Sequence, residues 1–293
     1  MKGKSGPHEI RCVKRNFLRE KLENELPEGT IRFSSKIVST GEDSNVKLLH
    51  LADGSTIRAK VLIGCDGVNS VVAKWLGLPK PILSGRSATR GLAEYPAGHG
   101  FGPEILQFIG QGFRSGVLPW SDTSVYWNYT WYPSPDDGDA EESVAKMRSY
   151  VLAKAARIPA PLRFRSPLAL VRGSISRGNV CVAGDAFHPT TPELGQGGCA
   201  ALEDGVVLAR RLSEAFLADG AEHDPGYEAV TAALEKYAEE RRWRGIRLIT
   251  AAYVVGFIQQ STNPVIKFLR EKFLSGLLAK TMIAMADYDC GKL

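Results

Sequence analysis

Hydrophobic residues recur with the period of a helix in five segments of the chain. Apolar positions three or four residues apart predict one face of a helix that packs against a core. The segments are Ile10 to Leu26, Glu141 to Ala156, Ala200 to Leu217, Tyr227 to Val255 and Ser261 to Ala286. Pro27 and Gly29 are expected to end the first of these helices.

Alternation of apolar and polar residues predicts strands in the first third of the chain. Thr30 to Ser39 alternates, with Ile31, Phe33 and Ile37 on one face. Two further runs follow, from Val46 to Leu51 and from Thr56 to Ile63. The Asp-Gly pair between these runs is typical of a hairpin turn, so we expect them to pair as antiparallel strands.

Two short runs are mostly apolar and β-branched, as strands covered on both faces are. They are Lys60 to Gly64 and Asn179 to Gly184. Between them, Gly85 to Pro133 is rich in glycine and aromatic residues, and Ser124 to Tyr132 alternates as an antiparallel strand does. The predicted fold class is α/β, or α+β overall, with an antiparallel β insertion in a parallel-sheet domain and helices at the end.

This pattern predicts four regions in a chain of 293 residues, which is long enough for two packed units. Residues 1–84 and 170–217 are expected to form the two parts of the parallel-sheet domain. Residues 85–169 are expected to form a β-sheet domain with one helix, and residues 218–293 a helical region.

Composition excludes several classes of protein. The net charge is +5 and the basic residues are interspersed with acidic ones, which argues against a nucleic-acid-binding patch. The five cysteines form no C-x-x-C pair and have no zinc spacing, so we expect free thiols and no metal site. No apolar run is long enough to span a bilayer. We expect an intracellular, most simply cytoplasmic, protein, with an organelle left open because a longer natural N-terminus would carry its own signal.

The most informative segment runs from Val180 to Asp204. A buried strand ends there at Gly184-Asp185, and ligands of such sheets bind beyond the carboxyl ends of the strands. The Asp185 carboxylate is suited to accept hydrogen bonds from the hydroxyls of a polyol. Gly195 to Gly198 then opens a helix, where glycines let N–H groups approach a ligand and the helix N-terminus favours negative charge.

Each half of this segment has a plainer explanation when taken alone. Asp185 would merely cap the next element, and Gly195 to Gly198 would be a flexible linker. The combination of strand, Gly-Asp, Gly-Gln-Gly and long helix is rarer and favours a flavin site. Gly195-x-Gly197-x-x-Ala200 also matches a loose dinucleotide fingerprint, but ten residues separate it from the strand and only helix follows, so we reject that interpretation.

A second motif has the same form. The strand in Val61 to Ser70 ends at Asp66-Gly67, and the pair Asn69-Ser70 can cap a helix from Val71 to Leu76. Alone, this motif is as readily a capped strand-turn-helix as a binding site. Its pairing with the first motif favours a function.

The two motifs together resemble those of the FAD-dependent aromatic-ring monooxygenases of the para-hydroxybenzoate hydroxylase fold. The likeness is greatest to plant FAD monooxygenases of the salicylate-hydroxylase-like type and runs from about Glu9 to Leu293. The resemblance implies that Asp185 binds the riboflavin part of FAD. It also implies that the flavin ring lies along four consecutive residues, Gln196, Gly197, Gly198 and Cys199.

Further cofactor contacts are implied by the resemblance alone. Asp66 and Gly67 would serve both FAD and the approach of NADPH or NADH. Arg15, in Arg11-Cys-Val-Lys-Arg15, would contact the flavin, and the backbone of Val38 would contact the adenine.

The chain also departs from the family pattern. Ala73 replaces an arginine found in many relatives, and Cys199 replaces an asparagine. No strand, Gly-x-Gly-x-x-Gly and helix precede Arg15, so the resemblance implies an incomplete FAD-binding domain without its pyrophosphate cradle.

By resemblance, the function is to insert one oxygen atom of O₂ into a small aromatic substrate with electrons from NADPH or NADH. FAD carries this chemistry, so no catalytic side chain is expected. Tyr126, Trp127, Tyr129 and Trp131, together with Pro192, are expected to line the substrate pocket. Alternation along a strand turns about half of such residues away from any one face.

Two other hypotheses stay open. One is a non-catalytic remnant that acts as a binding or interaction module, as the missing front segment suggests. The other is a different flavoprotein of the same fold, such as an epoxidase or a reductase. A halogenase is disfavoured because the chain has no Gly-Trp-x-Trp-x-Ile-Pro segment. His188 is interpreted as a packed loop histidine.

Overall fold

The computed structural model describes residues 2–3, 6–7, 12–110, 112–133, 160–217, 225–274, 281 and 284–291. The strands are β1 (Lys2–Gly3), β2 (Gly6–Pro7), β3 (Ile37–Asp43), β4 (Val46–Leu51), β5 (Thr56–Ala59), β6 (Leu62–Gly64), β7 (Ile82–Glu94), β8 (Leu106–Ile109), β9 (Phe113–Ser121), β10 (Ser124–Trp131), β11 (Ala160–Phe164), β12 (Ser176–Arg177) and β13 (Val180–Val182). The helices are α1 (Arg15–Asn24), α2 (Val71–Trp75), α3 (Pro167–Arg172), α4 (Gly197–Leu217), α5 (Gly226–Gln260) and α6 (Pro264–Leu269).

The chain forms two compact units. The antiparallel unit consists of Met1–Leu18, Leu83–Arg163 and Tyr253–Ala284. The parallel-sheet unit consists of Arg19–Ile82, Phe164–Ala252 and Met285–Leu293. The four-part division by sequence stays a prediction, and the predicted helix Glu141 to Ala156 lies outside the described residues.

The antiparallel unit contains a five-stranded sheet in the order β11-β7-β10-β9-β8. Its central strand, β10, pairs antiparallel with β7 and β9, so that Trp127 lies opposite Gly91 on one side and Val117 on the other. The predicted antiparallel sheet is therefore confirmed. Trp127 is buried, and a Cβ atom at Gly91 would lie only 2.5–2.8 Å from its indole ring, so the missing side chain makes room for the ring.

The parallel-sheet unit contains the two strands that the sequence predicts to be buried. β13 pairs in parallel with β6, with Val182 opposite Gly64, and β12 pairs antiparallel on its other side. All three residues of β13 are fully buried. A second sheet, β3-β4-β5, contains the predicted hairpin, whose turn includes Gly54 at φ +84°.

The core of this unit lies around β13 and beneath α4 and α5. Each fully buried large apolar side chain stabilises the fold by about 1.5–3 kcal/mol relative to an exposed one. The fully buried residues of this core include Leu170, Ile175, Val180, Val182, Phe187, Val207, Leu234 and Ile249. Tyr237 of α5 extends into this core, where its hydroxyl donates to the carbonyl oxygen of Val182 at 3.0 Å.

Some predicted boundaries are wrong for local reasons. The strand predicted from Thr30 begins only at Ile37, because Ser34 has φ +54° and breaks the extended chain, which leaves Phe33 exposed. The run from Thr56 to Ile63 is split, because β5 joins one sheet and β6 the other. Within the described residues, every helix is too short or too polar to cross a membrane.

Candidate functional site

The two sequence motifs meet at one edge of the parallel pair. β6 and β13 run side by side, and the Ala183 N–H donates to the Gly64 carbonyl at 3.0 Å, so the turns after both strands lie at the same end of the sheet. Cys65 directly follows β6. Desolvation, followed by the negative charges of Asp204 and Asp66, raises the pKa of its thiol. The two motifs therefore lie next to each other at one edge of the sheet.

The turn after β13 presents Asp185 outward. Gly184 has φ +58°, a conformation that favours glycine, and its carbonyl accepts from the N–H groups of Phe187 and His188 at 2.9 and 2.8 Å. Asp185 is exposed, and its carboxylate accepts no hydrogen bond from any residue that the structure describes. It is therefore available to hydroxyl groups of a ligand.

The glycine-rich loop leads directly into α4. Gly195, at φ +66°, ends the short turn Pro192–Leu194, and α4 begins at Gly197. The first N–H groups of a helix have no partner within the helix. A Cβ atom at Gly198 would meet no atom within 4 Å, so the backbone there is open to close approach.

The start of α4 also packs against the Asp185 turn, since a Cβ atom at Gly184 would lie 3.4 Å from that of Ala201. An acceptor-only carboxylate and a set of helix N-terminal N–H groups thus adjoin each other. This combination fits FAD, whose ribityl chain offers hydroxyls and whose reduced ring carries negative charge. Pro192, the predicted pocket residue of this loop, is exposed.

A buried carboxylate holds the Asp185 turn from behind. Asp204 of α4 is fully buried, and its Oδ2 accepts from the Gly184 N–H at 2.8 Å. The same oxygen lies 2.7 Å from Nε2 of His188, which is also fully buried. The other oxygen, Oδ1, accepts from Nε of Arg241 at 2.7 Å. His188 is thus packed, as interpreted from the sequence, but it is also hydrogen-bonded to the turn's anchor.

Two arginines of α5 extend this network to the end of the chain. Arg241 and Arg244 both donate to Glu203, at 2.8 and 2.7 Å. Arg244 also donates to the Met285 carbonyl at 2.7 Å, and both guanidinium groups lie 4.8 Å from the centre of the Tyr288 ring. The C-terminal segment therefore covers the charged layer above Asp204.

The electrostatics of Asp204 follow from these contacts. Burial alone would raise its pKa, but the hydrogen bond and charge of His188, the charge of Arg241 and the N–H of Gly184 outweigh burial, and the pKa is lowered. Asp204 is therefore an anion in the folded protein at neutral pH. Burial, followed by the nearby charge of Asp204, raises the pKa of Tyr237, whose hydroxyl stays neutral.

A second buried arginine fixes the segment after the turn. Arg165 donates to the carbonyls of Ala186 and Phe187, both at 3.0 Å, and to that of Pro79. Its own N–H donates to the Pro189 carbonyl at 3.1 Å. Burial lowers the pKa of Arg165 to about 10, so it remains a cation at neutral pH.

The turn after β6 uses its carboxylate differently. Asp66 accepts from Ser70 Oγ at 2.5 Å and from the Val71 N–H at 2.7 Å. Ser70 Oγ in turn accepts from the Ala73 N–H at 2.8 Å, which confirms it as the N-cap of α2. Asp66 is therefore engaged at the start of a helix, while Gly67, at φ +79°, shapes the turn.

The remaining predicted cofactor residues lie apart from these turns along the chain. Val38 is exposed, at a register shift in the pairing of β3 with β4. Arg15 is the exposed first residue of α1 and belongs to the antiparallel unit, so its contact with a flavin stays a prediction.

The predicted aromatic residues divide between the two faces of β10. Trp127, Tyr129 and Trp131 alternate onto one face, and Tyr126 lies on the other. The rings of Tyr129 and Trp131 stack at a centroid distance of 5.4 Å, and Phe113 lies 5.6 Å from Tyr129. These three half-buried rings form an aromatic row on the antiparallel sheet.

The residues that hold the Asp185 turn from its buried side are not among those predicted from the sequence. Asp204 occupies the buried face of α4 with Ala200, Val207 and Leu208. An acid in an otherwise apolar helix face signals a buried partner, because an unpaired buried charge is costly. The partner, Arg241, is 37 residues further along, and no local pattern marks it.

Fold and family together identify an FAD-binding oxidoreductase. The family model described as FAD binding domain matches residues 14–252, and the chain belongs to this family. Monooxygenase 2 of Arabidopsis thaliana is 44% identical over 99% of this chain and 76% of the relative. Monooxygenase 1 of the same plant is 38% identical over 97% and 77%.

Solved structures share the fold. Klebsiella pneumoniae HpxO, in complex with FAD and uric acid, has a TM-score of 0.75 at 24% identity, over 94% of this chain and 72% of that one. A salicylate hydroxylase substrate complex has a TM-score of 0.68 at 20% identity, over 94% and 75%. By resemblance, the chain is an FAD-dependent monooxygenase.

Proposed function

We propose that this protein uses NADPH or NADH to reduce bound FAD and inserts one oxygen atom of O₂ into a small, planar aromatic substrate. The observation that carries the proposal is the exposed Asp185 carboxylate beside the N-terminus of α4, at the carboxyl ends of parallel strands. Relatives named 6-hydroxynicotinate 3-monooxygenase and FAD-dependent urate hydroxylase act on heteroaromatic rings, which supports the substrate class.

Bound FAD supplies the redox chemistry, by which one oxygen atom enters the substrate and the other leaves as water. The protein's residues hold and orient it. Asp185 accepts hydrogen bonds from ribityl hydroxyls, and the N–H groups of Gly197 to Cys199 stabilise negative charge on the ring. Gln196, which directly precedes these N–H groups in the chain, would contact the same ring, while Asp66 and Gly67 would act through the shape of the neighbouring turn. For Arg15 and Val38, a cofactor contact is proposed from the family resemblance alone.

The aromatic row of Phe113, Tyr129 and Trp131 is the proposed wall against which a flat substrate stacks. Its support is the size and half-buried state of three successive rings on one sheet face. Stacked aromatic pairs contribute about 0.5–1.5 kcal/mol beyond the area they bury. Trp127 has a structural part in the wall, since its indole fills the space above Gly91.

The function is tested on the purified chain supplied with FAD, NADPH or NADH and a panel of hydroxylated benzoic acids and N-heteroaromatic acids. The expected result is substrate-dependent oxidation of the nicotinamide with one ¹⁸O atom from ¹⁸O₂ in the product. Turnover that continues without O₂ would instead indicate a reductase, and an epoxide product would indicate an epoxidase. Failure to bind FAD would indicate a non-catalytic module.

A comparison of two tyrosines tests the substrate wall. Tyr129→Leu removes a ring from the aromatic row, whereas Tyr126→Leu removes one from the opposite face of the same strand. The proposal expects the KM for the aromatic substrate to rise by about three- to tenfold for the first variant and by less for the second. The reverse order would assign the pocket to the other face.

A further inference from the structure

The Asp204 carboxylate joins the two ends of the turn that presents Asp185. Its Oδ2 binds the Gly184 N–H at 2.8 Å and His188 Nε2 at 2.7 Å, and the His188 N–H returns to the Gly184 carbonyl at 2.8 Å. One oxygen therefore closes the loop from residue 184 to residue 188. Asp185 lies within that loop, so the loop holds its backbone in place.

Both oxygens of the Asp204 carboxylate are hydrogen-bonded, so its orientation is fixed. Arg241 holds Oδ1 at 2.7 Å and has a second anchor on Glu203 at 2.8 Å. Arg244 holds Glu203 in the same way, and Tyr288 lies beside both guanidinium groups. Filling the core would not require a buried acid with this many charged contacts. An apolar residue of similar volume is often as stabilising as a buried ion pair.

We infer that Asp204 is a positioning residue for the flavin. It sets the direction of Asp185 through Gly184 and His188, and Arg241 with its C-terminal cover keeps Asp204 charged and fixed. This inference rests on the proposed function, since it assigns to Asp204 a part in the same cofactor site. A merely structural Asp204 would stabilise the fold without any link to Asp185.

A double-mutant cycle on FAD affinity separates these two roles. The four proteins are the wild type, Asp185→Asn, Asp204→Asn and the double variant, and FAD is titrated by quenching of flavin fluorescence. Each single substitution is expected to weaken binding about tenfold or more, which corresponds to roughly 1.4 kcal/mol. Because Asp204 acts through Asp185, the double variant is expected to bind within about threefold of Asp185→Asn alone.

Independent effects, in which the double variant shows the product of the two losses, would overturn the inference. A second readout is the circular dichroism of the bound flavin, which is expected to change in Asp204→Asn even at saturating FAD, since the ring's surroundings shift with the turn. An unchanged spectrum together with unchanged affinity would also overturn the inference.

A matched control comes from the other end of β13. Asn179 is fully buried and donates to the carbonyls of Asn45 and Lys60 at 3.0 and 2.7 Å, away from the turn. Asn179→Ala is expected to lower stability while FAD affinity stays within about twofold, as expected for distant, independent sites. A loss of affinity equal to that of Asp204→Asn would mean that any core defect weakens the flavin site, and the inference would fail.

Two outcomes separate this inference from the proposed function. If the wild type binds FAD and only Asp185→Asn weakens it, the inference fails and the proposed function stands. If the wild type binds no FAD, both fail. Should Asp204→Asn not fold, Arg241→Lys replaces it in the cycle, because it keeps the positive charge but loses the Nε contact that fixes Oδ1.

Discussion

The turns after β6 and β13 follow neighbouring parallel strands, and each has an exposed aspartate at the same edge of the sheet. The carboxylate of Asp66 accepts from Ser70 Oγ and the Val71 N–H, so it serves the start of α2. That of Asp185 accepts nothing from the described residues, and a different acid, Asp204, holds its turn. The same short motif thus stabilises a helix start after β6, whereas after β13 it leaves its carboxylate available to a ligand.

This difference indicates that the contacts of the turn's backbone decide whether its exposed carboxylate is available to a ligand. In the turn after β6, the turn's own carboxylate holds the start of α2. Where Asp204, His188 and Arg165 hold the backbone, the exposed acid stays available to a ligand.

Removing the buried support should have the largest effect. Asp204→Ala leaves Arg241 with one of its two carboxylate partners and the Gly184 N–H without its acceptor. We expect the free energy of unfolding to fall by about 3–5 kcal/mol, the usual cost of breaking a buried ion pair. Urea unfolding of the protein without flavin measures it, and a loss below about 1 kcal/mol would contradict the role given to this network.

The same support should fail in acid. The folded-state pKa of Asp204 is lowered beneath its unfolded value of roughly 4, so its contribution to stability is present above that value and is lost as the pH falls through the folded-state pKa. Below a pH of roughly 4, we therefore expect wild-type stability to fall more steeply than that of Asp204→Asn. Parallel curves for the two proteins would show that Asp204 titrates alike in both states.

Removing the N-cap of α2 should lower the free energy of unfolding by less than removing Asp204 does. Ser70→Ala removes the hydrogen bond to the Ala73 N–H and one partner of Asp66, and we expect unfolding free energy to fall by about 1 kcal/mol. FAD affinity should stay within about twofold, because the turn after β13 is untouched. A larger change in affinity than in stability would mean that the two turns act as one.

Much of this architecture follows from local patterns. The buried strands, the hairpin at Gly54, the cap at Ser70 and the alternation of β10 were all predictable, because each depends on residues close together in the chain. The strand start at Ile37 was not, since it depends on the backbone of Ser34.

The support behind the site was harder to predict, because its partners are distant in sequence. Asp204 meets Arg241 across 37 residues and Arg165 meets Ala186 across 21. The sequence shows an acid after a strand. Only the contacts of the folded chain show whether that acid is already hydrogen-bonded within the protein.

The most direct test compares FAD binding by Asp185→Asn and Asp66→Asn in the same titration. The account predicts a loss of about tenfold for Asp185→Asn, because charge-assisted hydrogen bonds worth about 1.5–3 kcal/mol are replaced by fewer and weaker neutral ones, with stability in the absence of flavin nearly unchanged. For Asp66→Asn it predicts less than about a threefold loss of affinity together with a fall in stability of about 1 kcal/mol, because the amide keeps only one of the two oxygen acceptors that Asp66 uses. Undiminished FAD binding by Asp185→Asn, or a greater loss from Asp66→Asn, would contradict the assignment of the flavin to the Asp185 turn.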